Sequence, residues 1–193
     1  MGDIETYITT IAGQLGRAYI AAGRIDEAVA LLEPALEEAH ALQNLPQIAT
    51  LKRQVGFAAY ARGDLARADK LAVEAASIAA AGGYRMIEAA ALHLQAMVAL
   101  QHGEAVEQGL VAAERSVELA RSIGAAPVLV AMEETKAGLR ALALGPSRRS
   151  GAAPALGGGI ARPVLTTSIP PSCDIEPSPP GPSGSRPLTG RTQ

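Results

Sequence analysis

Three histidines and one cysteine are the residues of this chain that most readily bind metals. His40, His93 and His102 have no cysteine or carboxylate at the spacing that a metal site requires. We therefore predict no metal site, and we interpret the histidines as surface or groove residues of helices. The single cysteine, Cys173, cannot form an internal disulfide, and a lone thiol is typical of a reducing compartment.

Paired carboxylates are the other candidates for catalysis. Glu133 and Glu134 are adjacent, so in a helix their side chains diverge by about 100° instead of meeting at one substrate. The run Gly157 to Gly159 is followed by Ile160 and lacks the lysine and hydroxyl residue of a phosphate-binding loop. The sequence therefore predicts no enzyme, no catalytic residue and no cofactor.

A pair of glycines seven residues apart recurs along the chain. This repeat indicates which secondary-structure elements would position the side chains of a functional site. Gly16 and Gly23 return after 40 residues as Gly56 and Gly63. After a further 40 residues they return as Ala96 and Gly103, and after a further 42 as Gly138 and Gly145. A fixed interval of this length is typical of one supersecondary unit copied along a chain.

Each unit has the pattern of two helices joined by a glycine turn. In the first unit, apolar residues at helical spacing predict a helix over residues 3 to about 22. Gly23 ends it, and Asp26 and Glu27 lie in the first turn of the second helix, which continues through Pro34. The fourth unit keeps only its first helix, Val128 to Leu144, which we expect to cover the preceding hairpin. Residues 1–145 therefore form an all-α domain of seven helices.

The composition changes at Pro146. Residues 146–193 contain 10 of the 13 prolines together with Gly157 to Gly159 and several serines. Such a segment has too little apolar surface to form a core, and we predict a disordered tail.

Charge and hydropathy exclude several classes of protein. Residues 1–145 carry 12 Lys and Arg and 17 Asp and Glu. This domain therefore lacks the clustered basic face of a nucleic-acid-binding protein. No run reaches the 18 apolar residues of a membrane span, and the acidic N-terminus does not resemble a secretory signal. We expect a cytoplasmic protein that binds neither nucleic acid nor membrane.

The tetratricopeptide repeat is the family that the repeated unit resembles, through small residues where two helices cross and a turn glycine between them. The matching residues are Leu15, Gly16, Tyr19, Gly23, Ala28, Leu32 and Ala35, and in the second copy Val55, Gly56, Gly63, Ala68, Ala72 and Ala75. Gly16 with Ala28, and Gly56 with Ala68, would allow the paired helices to approach closely. The interval of about 40 exceeds the family's usual 34 and is similar to the repeats of MalT-type activators and of ATPase-linked bacterial nucleotide cyclases.

The resemblance implies a right-handed superhelix of about 3.5 helical hairpins whose first helices line a concave groove. The side chains that it places in this groove are Arg17, Ile20, Arg53, Phe57, Tyr60, His93, Met97 and Gln101. The large side chains would anchor a peptide, and the two arginines would favour an acidic one. Alternatively, Phe57 and Tyr60 only pack between neighbouring first helices. The carboxylate clamp of chaperone-binding members is not predicted, because its lysine and asparagine constellation is missing.

Two functions follow from this resemblance. The first is a protein-interaction module that binds a peptide or protein in the groove, with an unknown oligomeric state. The second is a C-terminal regulatory fragment of a larger bacterial signalling protein, either a nucleotide cyclase linked to an ATPase or a transcriptional activator. The sequence identifies neither the partner nor the role of the tail.

Overall fold

Seven α-helices make up the part of the chain that the computed structural model describes, residues 2–144, with side chains described from Tyr7 onward. The helices are α1 (Gly2–Ala21), α2 (Ile25–Ala41), α3 (Leu45–Arg62), α4 (Leu65–Ala81), α5 (Arg85–His102), α6 (Val106–Ser122) and α7 (Ala126–Ala143). No strand occurs in residues 2–144, so the prediction of seven helices in an all-α fold is confirmed. The predicted disordered tail, residues 146–193, lies outside the described residues.

The helices pack in two layers. Each odd-numbered helix contacts the next odd-numbered helix, and consecutive helices contact each other throughout. Between even-numbered helices, no Cα atoms of residues 2–144 come within 8 Å of each other. The odd-numbered helices therefore form a continuous layer, whereas the even-numbered helices stand further apart.

Residues with a positive φ form the turns between the helices. Gly63 follows α3 with a φ of 82°, and its N–H donates to the Tyr60 carbonyl at 3.0 Å. Gly23 and Gly103 also have positive φ, as the sequence predicted, and so do Gly83 and Gly124. Ala105 has a φ of 52°, which an L-residue adopts at a cost. Gln43, in the loop between α2 and α3, has a φ of 53° as well. The loop between α5 and α6 contains both such a residue and a turn glycine, Gly103.

Opposite substitutions in that loop give a first prediction. Gly103→Ala places a Cβ in open space but at a φ of 72°, so we expect the free energy of unfolding to fall by about 1 kcal/mol. Ala105→Gly removes the Cβ of a residue that has a positive φ. We expect the free energy of unfolding to rise by about 0.5 kcal/mol, because the relief of strain exceeds the cost of the more flexible unfolded glycine. Urea unfolding of both variants measures the two signs. A loss of stability in Ala105→Gly would contradict the assignment of strain to this residue.

Small residues allow the helices of a pair to approach closely. A Cβ added to Gly56 would lie 2.9 Å from Leu94 Cδ2 and 3.5 Å from the Ala68 carbonyl oxygen, so the predicted crossing at Ala68 is confirmed. A Cβ added to Gly16 would lie 2.4 Å from Leu32 Cδ2, so the predicted close approach of α1 and α2 at Gly16 occurs against Leu32. Gly16 and Gly56 therefore both lie where the two helices of a pair pack closely.

The helix of the fourth copy covers the preceding hairpin, as predicted. Helix α7 packs against α5 and α6, and it buries Met132 and Leu139 in their apolar face. Leu139 contacts a cluster that includes Ala99 and Ala113, with Leu110 packed against it. The apolar core therefore continues into α7.

The first helix keeps an apolar face that has no covering helix among residues 2–144. Ile8, Ile11 and Leu15 are 58%, 63% and 42% exposed. The residues 40 positions later, Ile48, Leu51 and Val55, are 4%, 0% and 2% exposed, because they pack against α2. Helix α1 thus has the sequence of an internal helix of the array at a position where nothing in the described chain covers it.

Candidate partner-binding face

One position of the repeat forms a row across the odd-numbered helices. It is occupied by Gly13 in α1, Arg53 in α3, His93 in α5 and Thr135 in α7. His93 Nε2 lies 3.0 Å from Thr135 Oγ1, so the members of the row on α5 and α7 contact each other. The next helical turn presents Arg17, Phe57 and Met97. We call these two rows, with Ile20, Tyr60 and Gln101 one further turn along, the odd-helix face.

All eight groove residues predicted from the sequence lie on α1, α3 or α5. Gln101 is exposed and the other seven are half-buried. Phe57 and Tyr60 pack against a cluster that contains Leu94 and Val98 of α5. Part of each ring therefore packs between neighbouring first helices, which was the alternative to a role in binding. Neither ring is fully buried, and each keeps some surface on the odd-helix face.

Arg53 is a partly desolvated cation without a carboxylate partner among residues 7–144. Its Cζ lies 5.6 Å from the centroid of the Phe57 ring. Burial lowers the pKa of Arg53 to about 10, and the positive charge of Arg17 acts in the same direction. The guanidinium stays charged at neutral pH, so Arg53 is a half-buried positive charge that no carboxylate of residues 7–144 neutralises.

Arg17 also lacks a carboxylate partner in the described chain. Its Nη2 donates to Oε1 of Gln14 at 2.8 Å, which is a neutral acceptor. Helix α3 contains no Asp or Glu, and α1 contains none from Tyr7 to its end. Neither α3 nor the described part of α1 therefore supplies a carboxylate to these arginines, although the domain as a whole is acidic.

The other arginines of the described residues show how different this pair is. Six of them form ion pairs: Arg24 with Glu27, Arg62 with Asp26, Arg67 with Glu33, Arg115 with Glu88 and Glu118, Arg121 with Glu133, and Arg140 with Glu114. Arg85 donates to the Ser122 hydroxyl on another part of the surface. Arg17 and Arg53 are thus two neighbouring cations that the fold leaves unneutralised within residues 7–144.

His93 is a neutral member of the row. Burial lowers its pKa to about 4, the Ala131 carbonyl opposes this shift, and the charge of Arg53 adds to it. The Thr135 hydroxyl donates to the Ala131 carbonyl at 3.0 Å, so its oxygen is left to accept a hydrogen bond from His93 Nε2. His93 therefore serves as an uncharged donor that links α5 to α7.

Sequence reasoning missed two polar residues of this face. Thr135 belongs to the row, and aligning the fourth copy with the other three at an offset of 42 identifies it. Gln54 is 4% exposed, and its Oε1 has no hydrogen-bond partner in the described part of the chain. A Cβ added to Gly13 would lie 3.3 Å from this oxygen, which places Gln54 at the contact of α1 with α3.

A hollow of about 540 Å³ lies away from the odd-helix face, between α6 and α7. Its lining residues include the cations Arg121, Lys136 and Arg140. Each of these cations is paired with Glu133 or Glu114. The cations of this hollow are therefore neutralised, unlike Arg17 and Arg53.

Removing one of the two cations gives a second prediction. Arg53→Met keeps an unbranched apolar stem but removes the charge, so we expect a higher urea midpoint than that of the unchanged protein. Adding salt should stabilise the unchanged protein more than the variant, because salt screens the repulsion between Arg17 and Arg53. Arg62→Met, which loses the partner of Asp26, is the control and should not gain stability. Equal midpoints for both variants would show that the repulsion has no energetic weight.

No family model, curated protein or solved structure matches this chain. The side chains from Tyr7 to Leu144 include no group of three or more residues that could hold a metal ion. None of their helices combines the length and apolarity needed to cross a bilayer. The geometry of the odd-helix face is therefore the basis for any functional conclusion.

Proposed function

We propose that this chain is a tetratricopeptide-like interaction module that binds an acidic peptide or protein segment along the odd-helix face. The observation that carries the proposal is the pair Arg17 and Arg53, two cations on the contacting helices α1 and α3 that have no carboxylate partner in the described chain. A fold that keeps two like charges close together sacrifices stability, and an anionic partner would recover it.

The packing of the layers supports a concave binding surface. The odd-numbered helices contact each other, whereas the even-numbered helices stand apart, so the array is shorter along the odd layer. Such a difference bends a solenoid with the closely packed layer on the inside. We infer that the array is a right-handed superhelix and that its groove is the odd-helix face.

Large half-buried side chains beside the arginines would supply apolar contacts. Phe57, Tyr60 and Met97 are bulkier than the alanines that dominate this fold, and all three keep surface on the odd-helix face. Aromatic residues, methionine and arginine are enriched where peptides bind. The predicted ligand is therefore a segment with an acidic group next to an apolar side chain.

Selection from a random library of 12-residue displayed peptides tests this proposal. We expect the peptides that bind residues 1–193 to be enriched in Asp and Glu. Their affinity should fall by at least tenfold in Arg53→Gln and in Tyr60→Ala. The matched control is Arg121→Gln, which removes a cation of the outer surface that is already paired with Glu133. Peptides without acidic enrichment, or peptides that depend on Arg121 instead of Arg53, would contradict the proposal.

A second function has one observation in its favour. Ile8, Ile11 and Leu15 are exposed where the equivalent Ile48, Leu51 and Val55 are covered by α2. A helix that covered this face would extend the array, as expected of a regulatory part of a larger bacterial signalling protein. Inspection of the gene tests this idea, because it requires an ATPase, cyclase or activator domain in the same reading frame. We propose a cytoplasmic setting for either function.

A further inference from the structure

We propose that Arg17 and Arg53 together bind one phosphoryl dianion, so that the partner segment carries a phosphorylated side chain. This inference rests on the proposed function, because it names the chemistry that the odd-helix face recognises. It goes further in one respect: a monoanionic carboxylate would be the weaker ligand.

The balance of charge favours a dianion. Arg17 and Arg53 contribute two positive charges, and no carboxylate contacts either of them within residues 7–144. One carboxylate would leave a net charge of +1 in a partly desolvated place, whereas a phosphoryl group with about two negative charges would neutralise both cations. The number of unneutralised cations therefore matches the charge of a phosphorylated residue.

Both guanidinium groups are held by neutral neighbours that leave donors free. Arg17 uses one N–H for Gln14, and Arg53 lies over the ring of Phe57 without a hydrogen bond to a described carboxylate. A guanidinium carries five N–H donors in a planar fork that fits two oxygens of a phosphate. Two such forks can satisfy several oxygens of one phosphoryl group.

The other groups around Arg53 do not compete for the anion. The charge of Arg17 on α1 acts on the pKa of Arg53, and the charge of Arg53 acts on the pKa of His93 on α5, which stays neutral. The charged residue beside Arg53 on its own helix, Lys52, is paired with Glu74 of α4. The Gln54 oxygen is directed toward Gly13 of α1. No carboxylate of the described helices is thus in position to repel a phosphate.

Arginine side-chain NMR can test this with simple probes. The Nε–H signals of the full chain would be followed during titration with phosphoserine in a short alanine peptide, the same peptide with glutamate, and inorganic phosphate. We expect saturable shifts for Arg17 and Arg53 with the phosphoserine peptide, and an affinity at least tenfold above that of the glutamate peptide. Arg17→Gln and Arg53→Gln should each abolish saturation, whereas Arg85→Gln should not.

The dependence on pH provides a second readout. Phosphoserine loses its second negative charge near pH 6, so the affinity of the phosphoserine peptide should fall between pH 7.5 and pH 5.5. Sulfate is a dianion at both pH values, so its affinity should not change. Arg17 and Arg53 stay charged and His93 stays neutral over this range.

Equal affinities for the glutamate and phosphoserine peptides would overturn the proposal that the site prefers a dianion. The proposal of an acidic peptide ligand would stand. Saturation by free phosphate but not by the phosphoserine peptide would overturn a phosphorylated partner. The absence of saturable shifts with any probe would overturn the anion site itself.

Discussion

Leu139→Ala is expected to lower the free energy of unfolding by about 3 kcal/mol. Leu139 has no exposed surface and fills the contact of α7 with α5 and α6, where its Cδ2 would lie 3.3 Å from a Cβ added to Gly109. Removing its side chain leaves a cavity that the closely spaced helices cannot fill. For a domain with a total stability of about 5–15 kcal/mol, this is a large fraction.

Leu142 on the same helix provides the matched control. It is 46% exposed, so Leu142→Ala should change the unfolding free energy by less than about 0.5 kcal/mol. Deleting residues 128–144 should expose Val106, Leu110 and Val117 and cause aggregation. If the two alanine variants unfolded at the same urea concentration, α7 would not be part of the cooperative core.

Acidification from pH 7.5 to 5.0 is expected to cost about 2 kcal/mol of stability through His93 alone. Its pKa is about 4 in the folded protein and about 6.5 in an unfolded chain, so the unfolded state binds more protons between these values. The stability that comes from His93 is therefore complete above pH 6.5 and is lost as the pH falls toward 4. Glu27, Glu74 and Glu133 have pKa values below their usual range, because each carboxylate is hydrogen-bonded to a cation, Arg24, Lys52 or Lys136.

His93→Gln isolates this contribution. Glutamine does not titrate, and its amide can still donate to Thr135 Oγ1. Urea unfolding at pH 7.5 and 5.0 should therefore show a smaller loss in the variant than in the unchanged protein. A loss of the same size in both proteins would place the pH sensitivity in other groups.

The sequence predicted the fold well because the repeated glycines show where helices end. Gly23, Gly63 and Gly103 adopt the positive φ expected of turn glycines, and Pro34 lies within a continuous α2 as the apolar period indicated. Each of these features depends on local backbone chemistry and on a period that can be counted. The helix of the fourth copy was predictable for the same reason.

The candidate site was only partly predictable, because pairing across helices has no local signature. Nothing in the neighbourhood of Arg121 or Arg140 distinguishes these paired arginines from Arg17 and Arg53, since the partners of the first two lie 12 and 26 residues away. The isolation of Arg17 and Arg53 becomes visible only when every ion pair is known. The strained φ of Ala105 was equally hidden, because alanine does not indicate a left-handed residue.

Hydrogen–deuterium exchange with a selected acidic peptide tests the central claim most directly. If the odd-helix face is the binding surface, the peptide should slow exchange in α1 and α3 around Arg17 and Arg53, and in α5 around Met97. The even-numbered helices α4 and α6 should be unaffected. Protection confined to α4 and α6, or to the exposed Ile8, Ile11 and Leu15 face of α1, would contradict the claim.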